Sequence, residues 1–197
     1  MATVAVAIFT WKCKMDNKDY LYEAAIFYKN NLANKRFKIT ISRKLEERSI
    51  ELLFSPQHFY HLIGLHKLTD LPFLNRATSK IFQEIVSKKL TYSDISKSEH
   101  IHEISDRLLY YQEMLNVLNS DSLFFKSLKG KFKGIISDCV LTKSIDNDDN
   151  ESVFSFLFLK QNQHVYLPCS FFTRNEQKEY TKEGTHWKII SIVEIRK

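Results

Sequence analysis

The sequence predicts an α+β fold, in which amino-terminal helices and a helical insertion pack on a mainly antiparallel β-sheet. Apolar residues recur at helical spacing through most of residues 17–119, whereas from residue 123 onward they alternate at the period of a β-strand. Helices that precede a run of strands are typical of α+β proteins and not of doubly wound sheets. The 197 residues suffice for one hydrophobic core, so we expect a single domain over residues 1–197.

The first predicted elements are a helix and a hairpin. Residues 17–32 have apolar side chains at helical spacing, and Asp16 or Asn17 can cap this helix. Residues 36–42 and 49–54 alternate between apolar and polar side chains, as half-buried strands do. The charged segment between these two strands is expected to form the turn of the hairpin.

A second helix is predicted to begin directly after the hairpin. Ser55 is a good N-cap and Pro56 suits the first helical turn. The helix is expected to run to about Ile63, with Gly64 as the break at its end.

A helical insertion is predicted at about residues 72–119. Its helices are expected over 78–89 and 98–119. The longer of the two carries a continuous apolar seam, which fits a coiled-coil interface or packing on the sheet of the same chain, and we expect the second. The seam has the spacing 3-4-3-4-3 and consists of Ile101, Ile104, Leu108, Tyr111, Leu115 and Leu118.

The last part of the chain is predicted to form the sheet. Its strands are expected over residues 123–126, 132–142, 153–160, 165–170 and 187–195. An acidic loop at residues 146–150 separates two of them. The pattern of residues 1–15 fits an edge strand or a helix and does not decide between them.

Charge and composition narrow the range of functions. The formal net charge is +6, which favours anionic partners such as nucleic acid. The sequence has no Walker A loop, no G-x-G-x-x-G and no G-x-S-x-G motif, so P-loop nucleotide hydrolysis and α/β-hydrolase chemistry are disfavoured. It has no apolar stretch long enough for a membrane span. The three cysteines are odd in number and far apart in the sequence. We therefore expect reduced thiols in a cytoplasmic protein and no disulfide.

The densest cluster of polar and aromatic residues contains His61, His66 and Lys67. RNA cleavage without a metal ion needs a base for the 2′-hydroxyl proton, an acid for the leaving 5′-oxygen and a cation for the charged phosphorane. Histidine suits the first two roles because its pKa lies near neutrality. The alternative, which residue chemistry alone favours, is a core helix with one buried and one solvent-exposed histidine.

A second cluster lies late in the chain. Ser170 and Arg174 follow a predicted strand and precede Tyr180, Trp187 and Lys188. Hydroxyl groups, a guanidinium and a stackable indole can hold the phosphate and the base of a nucleotide. The alternative is an ordinary strand end followed by a polar loop.

No metal ion or other cofactor is expected. The pairs His58/His61 and His100/His102 lack the paired cysteines or the H-E-x-x-H context of a zinc site. The acidic loop lacks the glycine and the terminal glutamate of a calcium loop.

The string FYHLIGLHKL at residues 59–68 resembles the motif of a phage-associated branch, the fourth, of the barnase–EndoU–colicin–RelE nuclease superfamily. Other short strings match in the same order, and together the resemblance covers roughly residues 17–196. These strings are FKI at 37–39, IEL at 50–52, SFF at 170–172 and WKI at 187–189, with Tyr180 before the last.

The resemblance implies amino-terminal helices against a four-stranded antiparallel sheet, and metal-independent cleavage of RNA, often by a toxin. By position, it assigns His61, His66 and Lys67 to the first motif. It assigns Ser170, Tyr180 and Lys188 to the later motifs. The helical insertion exceeds what a minimal domain of this superfamily needs, which leaves room for a regulatory or partner-binding role.

Two hypotheses about function follow. The first is a cytoplasmic ribonuclease, a toxin or phage effector, that acts on tRNA or mRNA and has an antitoxin or immunity protein as its partner. In it, His61 and His66 share the acid–base work, and Lys67, Arg174 or Lys188 holds the phosphate. The second is a non-catalytic module that binds RNA or a protein, such as a phage-encoded inhibitor of a host factor. Location distinguishes them, because catalysis requires a histidine of the first cluster to meet the late cluster in one cleft.

Overall fold

Seven strands form the centre of the structure, a computed structural model that describes residues 18–126, 135–146, 152–182 and 184–195. The strands are β1 (Arg36–Arg43), β2 (Glu46–Leu53), β3 (Ser122–Lys126), β4 (Cys139–Asp146), β5 (Ser152–Asn162), β6 (Val165–Arg174) and β7 (Gly184–Ile195). They close into a barrel in the order β1-β2-β6-β5-β4-β3-β7. The opening segment 1–15 and the acidic loop at 147–150 lie outside the described residues.

Antiparallel pairs join all neighbouring strands of the barrel except β2 and β6. Those two run parallel and are joined through one residue pair, Leu52 with Tyr166. The last strand, β7, completes the barrel because its first half pairs with β3 and its second half pairs with β1.

The predicted fold class, helices packed on an antiparallel sheet, was wrong. The four-stranded sheet that the resemblance implied was wrong as well, because the strands form a closed barrel of seven. Alternation of apolar and polar residues predicts where a strand runs and which face is buried. Closure of this barrel instead depends on β7 pairing with strands that are distant from each other in the chain, and no local pattern carries that information.

Short helices cover part of the barrel. They are α1 (Tyr20–Asn31), α2 (Phe59–Leu62), α3 (Thr78–Val86), α4 (Tyr92–Ile95), α5 (Ser105–Leu109), α6 (Glu113–Asn116) and α7 (Lys178–Thr181), with 3-10 turns at Pro56–His58, Leu65–Lys67, Pro72–Leu74, Ile101–Ile104 and Val117–Asn119. Helix α1 begins later than predicted because Asp19 caps it, its carboxylate accepting a hydrogen bond from the backbone N–H of Tyr22 at 3.0 Å. In the described part of the chain, no helix has the length and apolar character that a membrane crossing requires.

The single helix predicted over residues 98–119 was wrong, because this segment consists of short helices and turns. Its apolar seam is nevertheless turned toward the core, and Ile104 and Leu108 are fully buried. Successive pieces contact successive strands: α5 contacts β6, α6 contacts β5, and the turn Val117–Asn119 contacts β4. A straight helix could not follow the curved surface of the barrel across these three strands.

The predicted hairpin is confirmed as β1 and β2, which pair along their whole length. Strand β6 continues to Arg174, four residues beyond its predicted end. Within the described residues, the strand predicted over 132–142 begins only at Cys139, as β4.

Two apolar clusters stabilise this arrangement. The larger one joins the helices to the barrel and contains Leu157, Leu159 and Phe171. The smaller one contains Phe156, Phe158 and Phe172, with Tyr180 of α7 packed against it. Alternating residues of β5 therefore supply both clusters, so that each face of this strand is covered.

Candidate active site

One cleft of about 980 Å³ brings together residues from the two clusters that the sequence singled out. Its wall includes His61, His66 and Lys67 from the segment after β2. It also includes Ser170, Arg174 and Tyr180 from the last part of the chain. The described structure thus joins six of the eight predicted site residues in one place.

The first wall of the cleft is a helix that reverses at a glycine. Helix α2 buries Phe59 and Leu62 and leaves His61 exposed. The predicted break at Gly64 is confirmed, since this residue has a φ of +87°, a conformation that glycine adopts at little cost. The chain then turns back through Leu65–Lys67, so that the ring centroids of His61 and His66 lie 5.1 Å apart.

A side chain at position 64 would not fit. An added Cβ would lie 2.8 Å from Cγ2 of Ile104 and 3.1 Å from Cδ of Arg107. Two reasons therefore require glycine at this position: its backbone conformation, and the close approach of α5 and of the turn before α5.

His58, the third histidine of this segment, has a structural role. It is buried, and its Nδ1 accepts a hydrogen bond from the backbone N–H of Ser55 at 3.1 Å. Burial, followed by the nearby His61, lowers the pKa of His58 to about 4, so that the ring is neutral at pH 7. This residue fixes the beginning of the helical segment.

The electrostatic environment keeps the two cleft histidines unprotonated at neutral pH. Both residues remain exposed at the mouth of the cleft, yet the protein removes water from part of each ring. This burial is the largest cause that lowers the pKa of His66 to about 4, and His61, Arg107 and Lys67 lower it further. Burial also lowers the pKa of His61.

Two cations flank the histidines, and each pairs with a carboxylate of the helical insertion. Nζ of Lys67 lies 3.6 Å from Oε2 of Glu103, and Nη1 of Arg174 lies 3.3 Å from Oδ2 of Asp106. These ion pairs are partly exposed, so a bound anion can compete with the carboxylates for both cations.

The second wall of the cleft combines aromatic and polar groups from β6 and α7. The guanidinium of Arg174 lies 5.0 Å from the ring centroid of Phe172, and the ring of Tyr180 packs against the same Phe172 ring at 5.1 Å. Cys169 also lines the cleft. Burial raises the pKa of its thiol to about 11, which leaves it a poor nucleophile.

Trp187 and Lys188, the remaining two predicted site residues, are not part of the described cleft wall. Trp187 is buried, and the guanidinium of Arg48 lies 4.2 Å from its ring centroid. Lys188 is exposed on β7. The two residues are adjacent in one strand, so their side chains point to opposite faces.

Arg107 is a buried cation of the cleft wall that the sequence reasoning missed. It belongs to α5 and is only 4% exposed. Its Nη1 donates hydrogen bonds to the backbone carbonyls of His61 at 3.1 Å and Leu62 at 3.2 Å. The available signal was its position between Ile104 and Leu108, since a charged residue three positions after a core residue lies on nearly the same helical face.

The described residues contain no group of three or more histidine, cysteine or acidic side chains placed to hold a metal ion. A comparison with protein families matches residues 20–196 to the family described as phage-Barnase-EndoU-ColicinE5/D-RelE like nuclease4. Comparisons with curated proteins and with solved structures give no match.

Proposed function

Because this chain belongs to the phage-Barnase-EndoU-ColicinE5/D-RelE like nuclease4 family, we propose that it is an endoribonuclease that cleaves RNA without a metal ion. The observation that carries this proposal is the His61–His66 pair, whose ring centroids lie 5.1 Å apart on a cleft shared with Lys67, Arg174 and Ser170. Two imidazoles and a cation are the groups that this reaction needs, and the cleft offers Lys67 and Arg174 as cations.

His66 is assigned the role of the general base. Its lowered pKa keeps the ring neutral in the free protein, so it can accept the proton of the 2′-hydroxyl group. The 2′-oxygen then attacks phosphorus, and the bond between phosphorus and the 5′-oxygen breaks. The products are a 2′,3′-cyclic phosphate and a chain with a free 5′-hydroxyl.

His61 is assigned the role of the general acid, which gives its proton to the leaving 5′-oxygen. The acid must be protonated before the bond breaks, whereas burial lowers the pKa of His61 in the free protein. A bound phosphodiester supplies a negative charge beside the ring and thereby favours its protonated form. Substrate binding is in this way expected to prepare the acid.

Lys67 and Arg174 are assigned to the phosphate and Tyr180 to a base. The two cations exchange their carboxylate partners, Glu103 and Asp106, for the phosphate oxygens as RNA binds. The hydroxyl of Ser170 can donate a further hydrogen bond to the phosphate, and an aromatic ring such as that of Tyr180 can stack on a base of any sequence.

The proposed biological setting follows from the phage association of the family and stays a proposal. The protein would act in the cytoplasm as a toxin or phage effector on tRNA or mRNA. An antitoxin or immunity protein would then be its natural partner.

A cleavage assay tests the proposed function and the role of His66 together. Intact protein is incubated with tRNA, rRNA and mRNA in EDTA, and the 3′ ends of the fragments are analysed for cyclic phosphate. We expect cleavage by the intact protein and a loss of about 10²- to 10⁴-fold in His66→Ala, the usual cost of removing a general acid or base. His186→Ala is the matched control, because His186 is exposed and lies outside the cleft wall.

The same assay has two contrary outcomes. Full activity of a folded but less stable His66→Ala variant would remove His66 from the mechanism and leave it a structural residue. Failure of the intact protein to cleave any of the three substrates would reject the ribonuclease and favour a module that binds without cleaving.

A further inference from the structure

Arg107 is a buried cation for which the described residues provide no carboxylate within ion-pair distance. The neighbouring Asp106 is paired with Arg174 instead. Burial lowers the pKa of the Arg107 guanidinium to about 10, so it remains charged at neutral pH. Fully buried arginines are rare unless they are paired, which raises the question of what this one does.

The hydrogen bonds of Arg107 answer part of that question. The two carbonyls that accept from Nη1, those of His61 and Leu62, belong to the last turn of α2. Carbonyls in the last turn of a helix find no N–H donor within that helix. That of His61 accepts from the backbone N–H of Gly64 at 3.2 Å, and Arg107 supplies a donor to both carbonyls from a neighbouring element. The absent side chain at Gly64 leaves room for its Cδ and Nε. The guanidinium therefore sits directly against the reversal between His61 and His66.

We infer that Arg107 is a positioning residue, which holds the reversal between His61 and His66 in the geometry that acid–base cleavage needs; this inference rests on the proposed function. The position of His61 depends on the carbonyl that Arg107 binds. The position of His66 depends on the turn that follows. The helical insertion thus supplies a working part of the site and not only a surface for regulation.

The charges around His66 agree with this assignment. The groups that act on its ring are His61 and Lys67 from its own segment, Arg107 from α5, and Glu103 from the turn before α5. The cations disfavour protonation of His66, whereas Glu103 favours it. Removal of the Arg107 charge should therefore make His66 easier to protonate. A residue that only fills the core would not have that effect.

The test compares Arg107→Met and Arg107→Lys with Arg76→Met. Arg76 is an exposed arginine of the same insertion, paired with Glu84 and absent from the cleft wall. Each variant is measured for Tm, for the pKa of His66 by NMR of the imidazole protons, and for kcat and KM on RNA. Methionine keeps much of the volume without the charge, and lysine keeps the charge without the planar fork.

We expect Arg107→Met to raise the pKa of His66 toward its ordinary value and to lower kcat about 10- to 100-fold, the effect of a small displacement of catalytic groups. Its KM should change far less. The kcat of Arg107→Lys should fall between those of Arg107→Met and the intact protein. Arg76→Met should match the intact protein in kcat and in the pKa of His66.

A folded Arg107→Met variant with an unchanged kcat would overturn the inference whatever its His66 pKa, because loss of the charge alone can move that pKa. A rise in KM alone would also overturn it, because Arg107 would then bind substrate. If Arg107→Met does not fold, the same readouts on Arg107→Lys decide. The NMR titration needs no RNA, so it tests the contact between Arg107 and His66 even if the intact protein cleaves nothing and the proposed function fails.

Discussion

At the scale of single residues, the proposed chemistry depends on which imidazole carries a proton. His66 must be neutral to act as base, and its pKa is lowered to about 4. His61 must be protonated to act as acid, and its pKa is lowered from 6.5. Both requirements are met together only at acidic pH, since the base loses its function as pH falls toward 4 and the acid loses its function as pH rises toward 6.5.

The pH dependence of cleavage is therefore expected to be bell-shaped, with a maximum of kcat/KM between pH 4 and 6.5. This profile reports the free protein, in which the two pKa values apply. It is measured from pH 4 to 8, with circular dichroism at each pH to exclude unfolding. His66→Gln should lose the acidic limb and keep the basic one. A maximum above pH 7 in the intact protein would contradict this assignment of acid and base.

The sequence could predict the relative placement of site residues only where their relation is local; Ser170, Arg174 and Tyr180 were singled out as a separate cluster, and only the fold brings them to the histidines. His61, Gly64 and His66 lie within six consecutive positions, so a glycine break was enough to bring the rings together. Arg107 could not be placed this way, because its acceptors are backbone carbonyls 45 and 46 positions away, and a carbonyl leaves no trace in the sequence. Lys188 and its neighbour Trp187 were predicted together, although alternation along a strand places their side chains on opposite faces.

At the scale of elements, the reversal at Gly64 connects a helix of the cleft to the insertion. Gly64→Ala should destabilise the protein by about 2–4 kcal/mol, because a positive φ is strained for alanine and the new Cβ overpacks the contact with Ile104. Urea unfolding measures this loss. The variant should also lose cleavage activity under conditions in which it remains folded.

A Gly64→Ala variant within about 0.5 kcal/mol of the intact protein, the range of ordinary surface substitutions, would show that the reversal tolerates a side chain. The stated need for glycine at this position would then be wrong.

The segment 98–119 explains why a single long helix was predicted there although the structure has short helices and turns. The apolar seam was real, as the burial of Ile104 and Leu108 confirms. Its spacing, however, is also produced by short turns that follow a curved surface. The sequence thus predicted which residues face the core and not the path of the backbone.

At the scale of the whole molecule, the formal charge of +6 comes from 29 basic and 23 acidic residues. Four of the basic residues, Lys67, Arg107, Lys160 and Arg174, line one cleft. Phosphate neutralisation by such cations makes binding depend on salt. Arg174→Ala should therefore weaken the binding of a non-cleavable single-stranded oligonucleotide. It should also reduce the slope of log K against log salt concentration by about 0.7, the contribution of one phosphate contact.

Fluorescence anisotropy over a range of salt concentrations measures this slope. Arg76→Ala is the matched control and should leave the slope unchanged. If both variants gave the slope of the intact protein, Arg174 would not contact the nucleic acid backbone.

The barrel itself lay beyond sequence reasoning for a related reason. The approximate positions of the strands could be predicted from the sequence, but β7 reaches β1 across most of the chain and β3 across about a third of it. The alternation of apolar and polar residues in β7 is the same whether the strand pairs with one neighbour or with two.

The barrel is not equally strong around its circumference. Strands β5 and β6 share pairs from Phe154 with Arg174 to Asn162 with Val165, whereas β2 and β6 share only Leu52 with Tyr166. Local opening needs the fewest broken hydrogen bonds at this second junction. In native-state hydrogen exchange, we expect amides there to exchange well before those of the β4–β5 pair. Since β6 carries Ser170 and Arg174, such opening would move one wall of the candidate cleft while β6 stays attached to β5, and the proposed RNA substrate could then enter without global unfolding.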